Sequence, residues 1–291
     1  MKPVRLQFSV ELDYEVYAPG ADFILNIQAA STRQQRVVEE RLSISQPLTH
    51  QVFVDAQTQA RFLRLKAAPG TLRVAHQATV EITHHHNAPQ LLREVPVAEL
   101  PPSVLGYLYP SRYCESDRLH HFAVQQFGSL WQGCSRVQAI RDWVHRHVKF
   151  TSNSSSSTTS ACDTLASGQG VCRDFAHLMI ALCRAVNIPA RFATGFDFGA
   201  DPILGPPDFH AYVEVWLGRR WYLFDPSGTA IPMGFVRLAT SRDAADAAFA
   251  TIFGSVRSAP PVIRIAAVAN ERGELVRPHH VGDALSTDGA A

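Results

Sequence analysis

A thiol, an imidazole and a carboxylate stand in the order Cys172, His210 and Asp225. Together they could carry out nucleophilic acyl chemistry: the sulfur attacks a carbonyl, the imidazole takes and returns a proton, and the carboxylate holds the imidazole in one tautomer and stabilises its charged form. Cys172 follows a Gly168-Gln169-Gly170 turn and opens the run Phe175, Ala176, Leu178, Met179, Ile180, Ala181, Leu182, Cys183, Ala185 and Val186. A helix with so little polar surface is expected to lie inside a domain. Asn187 and Pro189 supply its stop signal. At the first turn of such a helix the free N–H groups and the dipole favour a thiolate. The plainer reading, a small apolar residue in a core, fits most free cysteines, and this stretch alone leaves both open.

The imidazole and the carboxylate are placed by two strands. From His210 to Leu217 the residues alternate, with His210, Tyr212, Glu214 and Trp216 on one face, and Trp221–Phe224 forms the next strand. Gly218-Arg219 suits a two-residue hairpin turn of type II′. That turn pairs Leu217 with Arg220, hence Tyr212 with Asp225, and puts His210 diagonally across from Asp225, about 7–8 Å away at the backbone. A slip of one residue would put the two on opposite faces.

Upstream, Ser160 and Asp163 suit the start of a short helix that Gly168 ends. Before it, TSNSSSSTTS (151–160) reads as a mobile surface loop. Asp117 can cap a helix ending at Gly128, and Ser135 with Gln138 matches a capping box for a helix carrying Val137, Ile140, Trp143, Val144 and Val148. Residues 4 to 16 alternate strictly, and short strand-like runs follow up to Thr79–Ile82, which suggests an antiparallel sandwich. His84, His85 and His86 alternate in direction along a strand, so a solvated strand end is favoured over a metal ligand set. The expected domains are a sandwich over residues 1–88, a proline-bearing linker over 89–104, a core over 105–270, and a loose polar tail over 271–291. Residues 197–208 read as a loop bordering a cleft.

The 291 residues are 46% apolar and 18% charged, enough to bury a core. A net charge of +1 gives no reason to expect nucleic acid or an anionic membrane as partner. No run of about 18 apolar residues occurs, so no membrane span is expected. The five cysteines follow no disulfide or zinc spacing. The N-terminal segment is a charged alternating strand rather than a leader, so reduced thiols in the cytoplasm are expected. No cofactor or metal is called for.

The wording around the three residues is specific. GQGVCRDFAHLMIALCRAVNIPAR, DFHAYVEVWL and WYLFDPSG resemble the signature blocks of the bacterial transglutaminase-like family, within the papain-like cysteine protease and transglutaminase superfamily. Tyr109–Asp117 and Arg237–Gly254 resemble it as well, and the region before residue 90 is similar to the β domain that precedes such cores. The resemblance implies an α+β fold: a papain-like transglutaminase core, its buried Cys-bearing helix packed on an antiparallel sheet, preceded by an N-terminal antiparallel β-sandwich. It implies thiolate attack on an amide or ester, a thioester acyl-enzyme, and a triad of Cys172, His210 and Asp225. The N–H of Cys172 would form part of an oxyanion hole, with Tyr113 or Gln169 as candidate second donor. Arg173 and Asp174 read as an ion pair or first-turn caps. His177, five residues after Cys172 and so about 140° around the helix, is badly placed as its base. Cys114, Cys134, Cys162 and Cys183 read as structural thiols.

Two departures shape the functional expectation. No acidic calcium loop of the D-x-D-x-D-G kind occurs, and no pro-segment precedes the chain. The expected function is therefore a cysteine hydrolase, a peptidase or amidase acting on an amide or isopeptide bond of a peptide or small amide. The alternatives are a transglutaminase-type acyltransferase to an amine and, from another class, a non-enzymatic peptide-binding scaffold. Phe209, Tyr212, Trp216 and Trp221 hint at apolar substrate contacts, which core packing explains equally well.

Overall fold

In the computed structural model, residues 2–199 and 207–288 are described. The loop expected over 197–208 therefore lies largely outside them. The long alternating segment forms the strand Val4–Val16, whose apolar residues are all buried. It pairs antiparallel with Gly70–Ile82 over its whole length, from Val4 opposite Ile82 to Val16 opposite Gly70. Gln35–Ile44 extends this sheet beyond Gly70–Ile82. The facing sheet runs in the order Ala250–Phe253, Ala21–Gln28, Arg61–Ala67, His50–Val54. The inward residues of both sheets, among them Leu6, Phe8, Leu12, Phe23, Leu25, Leu63 and Val80, make one core.

The core domain is built on a four-stranded antiparallel sheet in the order Arg220–Phe224, Phe209–Leu217, Ala190–Asp197, Phe235–Ser241. The helix Cys172–Ala185 packs on it, with Phe175, Leu178, Met179 and Leu182 against Ala211, Val213 and Val215. The helix Cys134–His147 and the shorter His120–Phe127 and Ala161–Ser167 cover its other sides. The fold is thus α+β, as expected.

Three boundaries need correction. The core does not run to residue 270, because Ala250–Phe253 joins the sandwich beside Ala21–Gln28, and Val256–Ser258 and Val262–Ala267 pair with the free edge of Val4–Val16. A period of two marks a strand without saying which sheet it joins, and an uncovered strand edge thirteen residues long is a strong template. Nor are residues 271–291 a loose tail throughout. Ala284–Ser286 pairs with His85–Asn87, Leu285 enters the sandwich core, and the Thr287 hydroxyl accepts from the Arg237 guanidinium at 2.9 Å. The segment 89–104 is no free linker either. The Leu92 carbonyl accepts from the Cys134 N–H at 3.0 Å, and Glu94 pairs with the Arg136 guanidinium. That ion pair, with the Gly133 N–H donating to Glu94 at 2.8 Å, anchors the start of Cys134–His147 in place of the Ser135–Gln138 box. Ser135 instead donates to the Trp131 carbonyl. The cap expected from Asp117 also does not form; the helix begins at His120 after Leu119, with no side-chain cap.

Candidate active site

The Cys172 end of the site is assembled by a relay of local devices. Ser160 caps Ala161–Ser167 in a capping box, its hydroxyl accepting from the Asp163 N–H while the Asp163 carboxylate accepts from the Ser160 N–H. Gly168 then takes the left-handed conformation at φ +65°. Gln169–Gly170 bridges in parallel to Lys149–Phe150, which aims the chain into the helix that Cys172 opens. The Asp174 carboxylate accepts from the Val171 N–H at 2.9 Å, a cap that suits the positive end of the helix dipole. A Cβ at Gly170 would stand 2.7 Å from the Asp174 Cβ, so the turn needs glycine.

The serine-rich loop before this helix is held by the same turn. Ser155 donates to the Asp174 carboxylate at 2.8 Å, and Arg173 donates to the Ser155 hydroxyl and to the Ser156 carbonyl. Tyr113 donates to the Ser157 carbonyl at 2.7 Å. The loop is thus fastened to the turn that carries Cys172, where low complexity alone suggested mobility. Arg173 and Asp174 fill both expected roles, as an ion pair 3.7 Å apart and as a first-turn cap.

Cys172 is half-buried, with its Sγ 3.9 Å from the Phe209 carbonyl. The other cysteines sit in environments that suppress thiolates. Burial pushes Cys114 up to about 12 and Cys134 and Cys162 up to about 11, and pushes Cys183 up as well. His177 is fully buried, its Nε2 accepts from the Ala244 N–H, and burial pushes it down to about 3. It is a structural acceptor, stacked on Tyr113.

The hairpin has the register read from the sequence, with Leu217 opposite Arg220 and Val213 opposite Phe224. Its turn type differs. Gly218 and Arg219 both have positive φ, +51° and +70°, which makes a type I′ turn rather than II′. Both types are two-residue loops, so the register survives. Asp225 follows the second strand and accepts from the Ser227 N–H at 2.9 Å, the Ser227 hydroxyl at 2.6 Å and the Ala230 N–H at 3.0 Å. The Ser227 carbonyl in turn contacts His145 Nδ1 at 3.1 Å.

His210 is buried, with Nε2 3.6 Å from Asp225 Oδ1. Burial alone would lower its proton affinity. The negative charge of Asp197, then the nearby Asp225 carboxylate and Cys172 sulfur, outweigh it and hold the imidazole well above its ordinary value. Burial would raise Asp225, but hydrogen bonding and charge attraction to His210, then the Ser227 and Ala230 donors, keep it below the usual carboxylate range. The ring thus has a carboxylate at each nitrogen, Asp225 at Nε2 and Asp197 at Nδ1, with the Cys172 sulfur beside it, a setting that favours the imidazolium.

The chain thus brings Cys172, His210 and Asp225 together. Of the two candidate oxyanion donors, Tyr113 has its hydroxyl committed to Ser157, and Gln169 is exposed three residues before Cys172. Trp216 and Trp221 pack with Tyr107 and Leu100, and Arg191 lies over the Trp221 ring at 4.2 Å, so these tryptophans are core. Phe209 stacks on Phe249 with ring centroids 4.2 Å apart. Among the described residues, no three His, Cys, Asp or Glu side chains cluster to hold a metal ion. One buried group of the site escaped the sequence reading. Asp197 Oδ2 lies 3.4 Å from His210 Nδ1, and Asp197 Oδ1 accepts from the Tyr212 hydroxyl at 2.5 Å. The pairing of Gly195 with His210 makes Asp197 a diagonal neighbour two residues along, a signal that needs the register of a third strand.

Comparison with known proteins identifies the fold and the family. The transglutaminase-like superfamily model matches residues 121–226, and the bacterial transglutaminase N-terminal domain model matches residues 4–103. A candidate cysteine protease from Cytophaga hutchinsonii of known structure is 37% identical and superimposes with a TM-score of 0.90, covering 98% of each chain. The chain belongs to the transglutaminase-like superfamily and carries the bacterial N-terminal domain of that family. Curated relatives match over a shorter span. An uncharacterized Mycobacterium leprae protein is 28% identical over 117 residues, and one from Mycobacterium tuberculosis is 31% identical over 124 residues. These matches cover 38% of this chain and 42% and 40% of those proteins, so the chain spans about two fifths of their length.

Proposed function

We propose that the protein is a cysteine hydrolase that cleaves an amide or isopeptide bond of a peptide or small amide, with Cys172 as nucleophile, His210 as proton carrier and Asp225 as its orienter. The observation that carries the reading is the buried imidazole of His210, 3.6 Å from Asp225 and with the Cys172 thiol as a neighbour that raises its proton affinity. The description of the Cytophaga hutchinsonii relative as a candidate cysteine protease supports it.

The thiolate of Cys172 attacks the amide carbonyl carbon, and the carbonyl π electrons move to oxygen. The oxyanion is met by the Cys172 N–H at the helix start. Collapse of this intermediate breaks the C–N bond as His210 gives its proton to the leaving nitrogen, leaving a thioester and a neutral imidazole. Water then attacks the thioester while His210 takes its proton, and the carboxylic acid leaves as the thiolate–imidazolium pair is restored. Asp225 keeps the ring oriented through both halves.

The test is a screen of peptide and amide libraries with wild type and Cys172→Ala, with ammonia or amine release as readout, in the presence and absence of an added primary amine. Release that depends on Cys172 and is unchanged by the amine supports hydrolysis. Incorporation of the amine in place of water moves the assignment to acyl transfer. Equal turnover by wild type and Cys172→Ala refutes the thiol mechanism.

A further inference from the structure

We infer that Asp197 is a positioning residue of this site: it holds the Nδ1 side of the His210 ring, across from Asp225, and so keeps the imidazole doubly protonated beside Cys172. The inference rests on the catalytic reading of Cys172, His210 and Asp225 and adds a fourth group to it.

The argument starts from the ring. An imidazolium has two N–H donors, and Nε2 faces Asp225 at 3.6 Å. Nδ1, the nitrogen left to exchange a proton with the Cys172 sulfur, also faces Asp197 Oδ2 at 3.4 Å, so the thiol and Asp197 share one N–H. The two carboxylates are held differently. Asp225 has three other donors, from Ser227 and Ala230. Asp197 has Tyr212 on Oδ1, while Oδ2, like His210 Nε2 on the Asp225 side, is buried without a hydrogen-bond partner. A buried carboxylate oxygen without a donor calls for an explanation, and the ring nitrogen 3.4 Å away supplies one. Tyr212 also packs edge-on against the His210 ring, with centroids 4.8 Å apart, so one side chain positions both acid and base.

Besides Asp225 and the Cys172 sulfur, which bear on the ring, the nearby described charges are turned elsewhere. On the neighbouring strand Arg237 is turned to Glu214, and on Asp197's own strand Arg191 is turned to Glu214 and Asp288. On the helix Arg173 is turned to the serine loop, and Asp174 caps the Val171 N–H. His210, Tyr212 and Asp225 are the titratable groups that bear on Asp197. Burial pushes it up to about 7 against the pull of His210 and the Tyr212 hydrogen bond, with Asp225 adding to the rise. Near neutrality the ring is therefore held by one full carboxylate and one that is changing charge. As pH rises through that range, the second carboxylate ionises and the grip on Nδ1–H tightens. The plainer role, a mere acceptor for a buried tyrosine hydroxyl, would affect folding and leave the protonation of the ring alone.

The test follows the His210 ring nitrogens by NMR across pH in the full chain, the signal being identified by its loss in His210→Asn. In wild type the ring should stay protonated well above the ordinary histidine range and show a second, smaller inflection near pH 7 as Asp197 ionises. In Asp197→Asn that inflection should vanish, and the ring's proton affinity should fall at least about tenfold, as expected for losing an opposite charge at this range. A wild-type ring that titrates in the ordinary histidine range, or a titration unchanged in Asp197→Asn, overturns the inference. The wild-type curve alone decides if the variant does not fold. Mapping iodoacetamide labelling at pH 7 separates the two levels. If Cys172 is not modified ahead of the other four cysteines the catalytic reading falls, while the titration still reports whether Asp197 grips the ring.

Discussion

Replacing Asp225 by Asn tests the triad most directly, because asparagine keeps the shape and one acceptor oxygen but removes the charge. Two unit charges 3.6 Å apart attract by about 4–5 kcal/mol at an effective dielectric near 20. Solvent and the Asp197 charge on the other side of the ring share that role, and opposite charges at such range move a proton affinity by about 1–3 pH units. The ring is held above its ordinary value in wild type. The imidazolium is therefore present below its folded titration point and is lost as pH rises through it. In Asp225→Asn that loss should set in at lower pH, and kcat/KM at pH 7 should fall by about 10- to 1,000-fold, about 1.4–4 kcal/mol in the barrier. The assay is the pH profile of kcat/KM on whichever substrate the library screen returns, with circular dichroism to confirm folding. The alkaline limb should move toward acid, whereas the fall from a merely loosened fold would be uniform in pH. A variant within threefold of wild type with the same alkaline limb, alongside an inactive Cys172→Ala, would refute the assignment of Asp225.

Other perturbations read single contacts. Gly170→Ala should force a methyl against Asp174 at 2.7 Å, lower the unfolding free energy by about 1–3 kcal/mol, and slow iodoacetamide labelling of Cys172 through the displaced helix start. Glu214→Ala leaves the Arg191 and Arg237 guanidinium groups without their buried carboxylate partner and should cost about 3–5 kcal/mol in urea unfolding, while Glu214→Ala labelling kinetics at Cys172 should change little in whatever fraction stays folded. Ser160→Ala removes one half of a capping box and should lower stability by about 1 kcal/mol, with the midpoint of thermal unfolding as readout.

How far the sequence revealed this site varied with the range of the interaction. The hairpin register was legible because a two-residue Gly218-Arg219 loop fixes pairing by length, even where the turn type was misjudged. The Ser160–Asp163 box and the left-handed Gly168 were legible for the same reason, since each is settled within a few residues. The Ser135–Gln138 box matched the same pattern and failed, because Glu94, some forty positions away, supplies a stronger anchor through Arg136 and Gly133. Asp197 was illegible because its partner lies across another strand pairing, Gly195 with His210. The strands after residue 250 were visible as strands, but nothing local says that their hydrogen-bonding neighbours are Ala21–Gln28 and Val4–Val16.

Those late strands bear on how the polypeptide emerges from the ribosome. Strand Val4–Val16 meets its inner neighbour once residue 82 has been made, yet its outer edge stays bare until Val256–Ala267 arrives. For most of translation the nascent chain therefore carries a long, unpaired hydrogen-bonding ribbon, the kind of surface that invites foreign strands. The sheet bearing His210 needs no strand beyond Ser241, so it can be complete while that edge is still bare. A chain stalled before residue 250 would thus display the Cys172 helix on a body whose first layer is still open.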